Sequence, residues 1–313
     1  MKSDKTWFVY TAITLSMVFW GFSYIWTKTA FVYYRPITII LFRLILSTLF
    51  LVLMNFWFKR LTKIDKKDLP HFALLTFLQP LLYFIGESYG LLQVSSIVAA
   101  VIISTIPLFS PLVAHFYLRE KITRMNVLGI FISTVGVVLV IVKDDLTFTA
   151  SVYGILLLML AVLSAVVYSA VLIRLTEKYN VYTIITTQNA IGVLFFLPLF
   201  FIVDFDQFAK VGFRIEPFVP ILLLAFFASS LSYMFYSFGM YKLGIARANI
   251  FANLIPIFTA FFAYIVLGET INYINMVGIV VVISGLFLSQ MRKSIFAWTE
   301  DFFYKVRNNG DSF

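Results

Sequence analysis

The stretch YGLLQVSSIVAAVIISTIPLFSPLVAHFYLREKITRMNVLGIFISTVGVVLVI, residues 89–141, returns as FGMYKLGIARANIFANLIPIFTAFFAYIVLGETINYINMVGIVVVISGLFLSQ, residues 238–290. Laid over one another without a gap, they pair Gly90 with Gly239, Pro107 with Pro256, Glu120 with Glu269, Asn126 with Asn275, Gly129 with Gly278 and Gly136 with Gly285. Every pair keeps one offset (256 − 107 = 149), and fourteen of the 53 positions are identical. Self-similarity at a fixed offset is read before any element is assigned. A period of half the chain means two homologous halves rather than a solenoid.

The rest of the chain says where those halves reside. With 61% hydrophobic and 12% charged residues in 313, it is far too apolar for a soluble globule. Ten apolar runs of spanning length predict transmembrane helices at 7–27, 36–58, 70–92, 96–117, 123–142, 151–173, 181–203, 217–240, 245–267 and 271–290. The pieces between them, the longest being 59–69, 204–216 and the tail from Met291, are too short to bury a soluble core. The first run follows Lys2 and Lys5 but is too long for a cleaved signal and lacks a small-x-small site, so it reads as a retained span. The expected fold is therefore all-α and integral to the membrane: ten transmembrane helices in two repeats, 7–142 and 151–290, followed by a cytoplasmic tail, 291–313.

The net charge of +9 is distributed as a topology signal. With the amino terminus inside, eighteen Lys and Arg flank the inner span ends, whereas five (Lys28, Arg35, Lys143, Lys210 and Arg214) flank the outer ones. That bias predicts both termini in the cytoplasm of a cell-membrane protein. It leaves no basic, aromatic-interleaved face for nucleic acid as a partner. Five spans per half is an odd number, so the second half enters from the opposite side. Glu120 then closes the fourth span on the inside and Glu269 the ninth on the outside. Inverted repeats of this kind build transporters, in which two near-equivalent states open to opposite sides of one midplane site.

Chemistry that the sequence excludes is as informative. Without cysteine there are no disulfides, thiolate metal sites or thiol nucleophiles, and no metal or cofactor is expected. There is no Walker loop or dinucleotide fingerprint. Gly86-Glu87-Ser88-Tyr89-Gly90 matches the nucleophile-elbow pattern but lies within an apolar helix instead of a strand–turn–helix, so its glycines read as a packing notch. No catalytic residues are assigned, and an enzyme is not expected.

Polar residues inside the spans mark the candidate cavity, because each must find a partner away from hydrocarbon. Gln79, Tyr83 and Glu87 share one helical face at i, i+4 and i+8. Trp20 and Ser23 mark the first span, Ser104 the fourth, Tyr168 the sixth, Tyr233 the eighth, and Asn249 and Asn253 the ninth. Helix–helix hydrogen bonding is the alternative use of any one of them. Arg43 and Glu87 lie at matching depth and predict an intramembrane ion pair. Pro107, Pro111 and Pro256 predict helix bends, each removing a backbone donor. Gly129, Ser133, Gly136, Gly278 and Gly285 form small-residue stripes for close packing within the chain or at an oligomer face, which leaves a homodimer open. His115 reads as an interface histidine. In the tail, Ile295, Trp298, Phe302 and Val306 predict an amphipathic helix on the headgroups.

Trp20-Gly21, Arg43, and the paired Pro107…Glu120 and Pro256…Gly268-Glu269 segments, in this order within ten spans, resemble the EamA family of the drug/metabolite transporter superfamily over nearly all of residues 7–290. The resemblance implies a ten-helix basket with a cavity lined by helices 1, 3, 4, 6, 8 and 9, the helices that carry the polar stripes. It implies export of small metabolites, amino acids above all, by a secondary or facilitated carrier. The partners expected are a small-molecule substrate and the lipid bilayer. In the second half Tyr168-Ser169 replaces Trp-Gly, and Gln188-Asn189 stands where the arginine would be. A non-transporting membrane sensor or interaction protein is the competing class, distinguished by whether purified protein moves any solute.

Overall fold

In hydrocarbon a backbone amide has no partner but its own helix, and among the described residues the apolar runs are helical apart from a few breaks. The computed structural model describes residues 3–58, 60–109, 111, 123–142, 151–243 and 245–290. Among the described residues nine helices are long and apolar enough to cross a membrane, with a shorter apolar tenth. They are α1 (Ser3–Phe31), α2 (Pro36–Trp57), α3 (Lys66–Gln93), α4 (Ser96–Phe109), α5 (Arg124–Ile141), α6 (Val152–Thr176), α7 (Val181–Val211), α8 (Ile215–Met240), α9 (Ile250–Leu267) and α10 (Tyr273–Gln290). A short helix, Ile245–Ala252, leads into α9. The spans expected at 7–27 and 181–203 run on to Phe31 and Val211, because their last turns stay helical beyond the apolar run. His115, Glu120 and the expected tail helix lie outside the described residues.

Lipid tails are as apolar as leucine, so spans associate by close backbone approach and by hydrogen bonds. The α5–α10 seam uses both. Asn126 Nδ2 donates to the Ser289 carbonyl at 2.8 Å, and Asn275 Nδ2 donates to the Val140 carbonyl at 2.9 Å. Both partners differ by the repeat offset (275 − 126 = 149 and 289 − 140 = 149), so a twofold exchanges the two bonds. Each helix begins where the other ends. This antiparallel seam is the inverted repeat seen directly. A Cβ on Gly129 would sit 2.6 Å from the Gly285 carbonyl oxygen, and one on Gly278 would sit 2.9 Å from that of Gly136. Ser133 Oγ donates to Val282 O at 3.0 Å between them. The small-residue stripes are thus consumed inside the chain and do not form an oligomer face.

Elsewhere the repeats interlock. α1 packs against α8 and α9, α6 against α3 and α4, and α2 against α7. Gly21 lets α9 approach, since a Cβ there would meet Thr259 N at 3.2 Å and Ile255 O at 3.3 Å. Gly86 does the same for α6, with a Cβ only 2.5 Å from Leu157 O, and Ser88 beside it is buried. The elbow-like pattern is a packing notch. At one end of the α2–α7 pair Tyr34 OH accepts from Arg214 N at 3.0 Å, and at the other Tyr179 OH accepts from Asp65 N at 3.1 Å. These bonds are also related by the repeat (179 − 34 = 145 and 214 − 65 = 149).

Helices α3, α4, α8 and α9 are each irregular within their length. α4 loses its helix at Ser104–Thr105 and α9 at Asn253–Leu254, positions one repeat offset apart (253 − 104 = 149), each followed by the paired Pro107 or Pro256. Proline cannot donate and its ring clashes with the carbonyl four residues back, so the chain tightens to i→i−3 bonds there. Thr105 N reaches Ile102 O at 3.1 Å and Leu254 N reaches Phe251 O at 2.9 Å. Pro111 is helical and half-buried. α3 breaks at Gln79, whose φ of −143° and ψ of 121° are extended, just before Pro80. α8 widens into π-helical turns over Leu224–Leu231.

Candidate substrate cavity

Breaks free backbone carbonyls, and at α3 and α8 polar side chains of other helices come to them. Ser164 Oγ of α6 donates to Leu78 O at 2.6 Å, immediately before the α3 break. Trp20 Nε1 of α1 donates to Ala228 O at 3.1 Å, within the widened part of α8. At α3 and α8 the irregular backbone and an intramembrane polar residue of another helix therefore satisfy each other.

At the centre a cavity of ≈ 10 Å³ is lined by Gln79, Pro80, Phe84, Tyr168, Ile185, Gln188, Asn189, Ser229 and Tyr233. That is room for about one water molecule, where ligand pockets ordinarily span about 300–1,000 Å³. Its polar groups bond one another. Gln79 Nε2 donates to Tyr233 OH at 2.9 Å, and Tyr168 OH donates to Gln188 Oε1 at 3.0 Å. Asn189 Nδ2 donates to Ser47 Oγ at 2.9 Å, which meets Ser230 Oγ at 2.9 Å. Trp20 closes one side by edge contacts with Tyr233 and Tyr236, ring centroids 5.3 and 5.2 Å apart.

Beside the cavity lie the two charged groups. Arg43 is 8% exposed; its Nε donates to Ser229 Oγ at 2.5 Å and its guanidinium carbon stands 4.4 Å from the Phe84 ring centroid. Tyr83 OH donates to Glu87 Oε1 at 3.0 Å. Tyr24, Tyr83 and Glu87 are all electrostatic neighbours of Arg43. Yet Arg43 and Glu87 make no salt bridge: among the described residues the ion pairs are Lys178 with Asp65 and with Asp68. The expected direct pair is replaced by a charge cluster in which each member takes neutral partners. A guanidinium offers five donors in a fixed fork, and Ser229 and the Phe84 face are nearer than the carboxylate.

Of the residues expected at the site, Gln79, Tyr168 and Tyr233 line the cavity, Trp20 packs on its wall, and Tyr83 and Glu87 join the adjacent cluster. Gln79 arrives differently from expectation. The continuous Gln79–Tyr83–Glu87 face is interrupted because Pro80 breaks α3, and only Tyr83 and Glu87 keep the i, i+4 relation. Ser23 and Ser104 turn back onto their own helices, donating to Trp20 O and Val101 O at 2.7 Å each. Asn253 is 2% exposed, and neither of its amide atoms has a hydrogen-bond partner. The Asn249 side chain lies outside the described residues.

Six lining residues were not assigned from sequence: Pro80, Phe84, Ile185, Gln188, Asn189 and Ser229. A signal existed for two of them. Gln188-Asn189 is an amide pair in mid-span, and Gln188 occupies the repeat position of Arg43 by the offset of the tyrosine pair (188 − 43 = 145). One half contributes a charge where the other contributes an amide.

The EamA-like transporter family matches residues 7–142 and, a second time, 152–291. An uncharacterized transporter of Archaeoglobus fulgidus is 30% identical over 285 residues, covering 91% of this chain and 98% of the relative. The uncharacterized transporter YetK of Bacillus subtilis is 25% identical over 256 residues, covering 80% of this chain and 76% of its own length. A solved crystal structure superposes with a TM-score of 0.67 at 13% identity, over 92% of this chain and 97% of that one, a likeness of fold alone.

Proposed function

Because the chain belongs to the EamA-like transporter family, we propose that it exports a small polar metabolite, an amino acid in the first instance, as a secondary or facilitated carrier of the cell membrane with both termini in the cytoplasm. One observation carries this reading. Amides and hydroxyls from α3 of the first repeat and from α6, α7 and α8 of the second converge on one cavity, beside a buried arginine and a carboxylate. The side chains saturate one another while the cavity is contracted. They are the groups that would exchange those bonds for bonds to a solute when it widens. A zwitterion suits such a lining, with Glu87 facing its ammonium group and Arg43 its carboxylate. The inverted repeats supply two equivalent openings around that point. The glycine seam is internal, so it lends no support to a homodimer.

The test is efflux from liposomes loaded with labelled amino acids and containing the purified protein. Gln188→Leu keeps a side chain of similar size but removes the acceptor of Tyr168. Transport should fall about tenfold, the effect of one net hydrogen bond of about 1.4 kcal/mol, with expression near wild type. Absence of movement of any solute, with or without an ion gradient, would leave the sensor class standing instead.

A further inference from the structure

The first amides of a helix have no partner within it and carry the positive end of its dipole. At α4 those amides are satisfied by the other repeat. Ser96 N donates to Glu269 Oε1 at 3.0 Å and Ile97 N to Glu269 Oε2 at 3.4 Å, while Ser95 Oγ takes Val98 N at 3.2 Å. The carboxylate is delivered from the end of α9, where Gly268 adopts a left-handed φ of 66° and turns the chain toward α4. Lys28 of α1 holds the preceding residue, its Nζ donating to Val94 O at 2.7 Å. Three helix ends are drawn together by two charged side chains.

The halves joined here are those cut free by the breaks. Ser96–Ile103 precedes the interruption of α4, Ile255–Leu267 follows that of α9, and the two segments pack on each other. A cavity of ≈ 410 Å³ opens beside the joint, bordered by Ser95, Val98, Gly268, Glu269 and Asn275. Water in that space can replace the carboxylate on Ser96 N and Ile97 N, so release leaves no amide stranded.

We propose that Glu269 is the positioning residue of a gate: its carboxylate ties the tip of α4 to the end of α9, and its release lets the two half-helices part at this end of the bundle. The gate rests on the transport reading for its purpose, although its own test requires no substrate. The chain contains no cysteine, so Ala100→Cys, at a position 0% exposed within the closed α4 half, reports separation of the halves. In purified protein its reaction with a maleimide should be slow with Glu269 present and about tenfold faster with Glu269→Ala, the weight of one charge-assisted hydrogen bond. Glu269→Gln, which retains one acceptor oxygen, should fall between. It also serves as the variant of record if Glu269→Ala does not elute as a folded monodisperse species. Equal labelling rates with glutamate and with the folded variants would overturn the gate. Faster labelling without transport by any variant would instead refute the proposed function and leave the gate intact.

Discussion

Adding one methyl group at Gly136 tests whether the α5–α10 seam holds the two repeats together. A Cβ there would stand 2.5 Å from Val282 N and 2.8 Å from Gly278 O, whereas ordinary contact begins near 3.4 Å. Both obstacles are backbone, so a rotamer change cannot relieve them and the helices must separate by about 0.6–0.9 Å. A radial gap of that size forfeits roughly a quarter to a half of each dispersion contact. If about thirty atom pairs at about 0.15 kcal/mol each line the seam, the loss is about 1–2 kcal/mol. That agrees with the usual cost of overpacking, about 1–3 kcal/mol. Stretching the Asn126–Ser289 and Asn275–Val140 bonds at the two ends adds to it. Thermal unfolding of the detergent-solubilised protein, followed by size-exclusion chromatography, should show Gly136→Ala clearly destabilised. The twofold partner Gly285→Ala should behave alike, since its Cβ meets Ser133 N at 2.6 Å and Gly129 O at 2.7 Å. Val280→Ala, on the exposed face of α10, is the control. If Gly136→Ala melts with that control, close backbone packing at the seam is not what joins the repeats.

Two further outcomes follow from particular contacts. Trp20→Phe keeps the ring edges against Tyr233 and Tyr236 but removes the donor to Ala228 O, so the same assay should register a loss of about 1–3 kcal/mol; an unchanged melting point would mean the widened turn of α8 needs no external donor. Lys178, on the loop between α6 and α7, bridges Asp65 and Asp68, and these carboxylates raise its pKa above the ordinary lysine value. A raised pKa gives a contribution that is complete below the unfolded-state value and is lost only as pH climbs through the folded one. Lys178→Met should therefore speed tryptic cleavage at Lys63, Lys66 and Lys67 by a ratio that stays constant over about pH 6 to 9; a ratio that collapses within that window would refute the clamp.

Much of the architecture was legible along the chain because it is written in one dimension. Spanning helices show as apolar runs of fixed length, inversion follows from an odd number of spans per half, and the breaks in α4 and α9 follow from Pro107 and Pro256, whose missing donors act locally. Pro80 carried the same local signal, and its neighbour Gln79 does leave the helix. The helical-face argument that grouped Gln79 with Tyr83 and Glu87 assumed a continuity which that proline removes. For the glycines, the sequence limited the choice to an internal seam or an oligomer face and could go no further.

What remained was decided between elements. A serine in a span can face a cavity or cap a carbonyl on its own helix, and Ser23 and Ser104 took the second course, each reaching the carbonyl three residues back. Arg43 and Glu87 share a depth, but depth does not set azimuth; the guanidinium met Ser229 and Phe84 first. Glu269 reads in sequence as the end of a span, and only the fold brings it to the amides of a helix 173 residues away in the chain. The apolar pattern, the prolines and the repeat determine which segments cross the membrane and in what order. Which polar groups meet is fixed by how the two repeats dock, because a polar atom in hydrocarbon takes whichever partner the packing brings within about 3 Å.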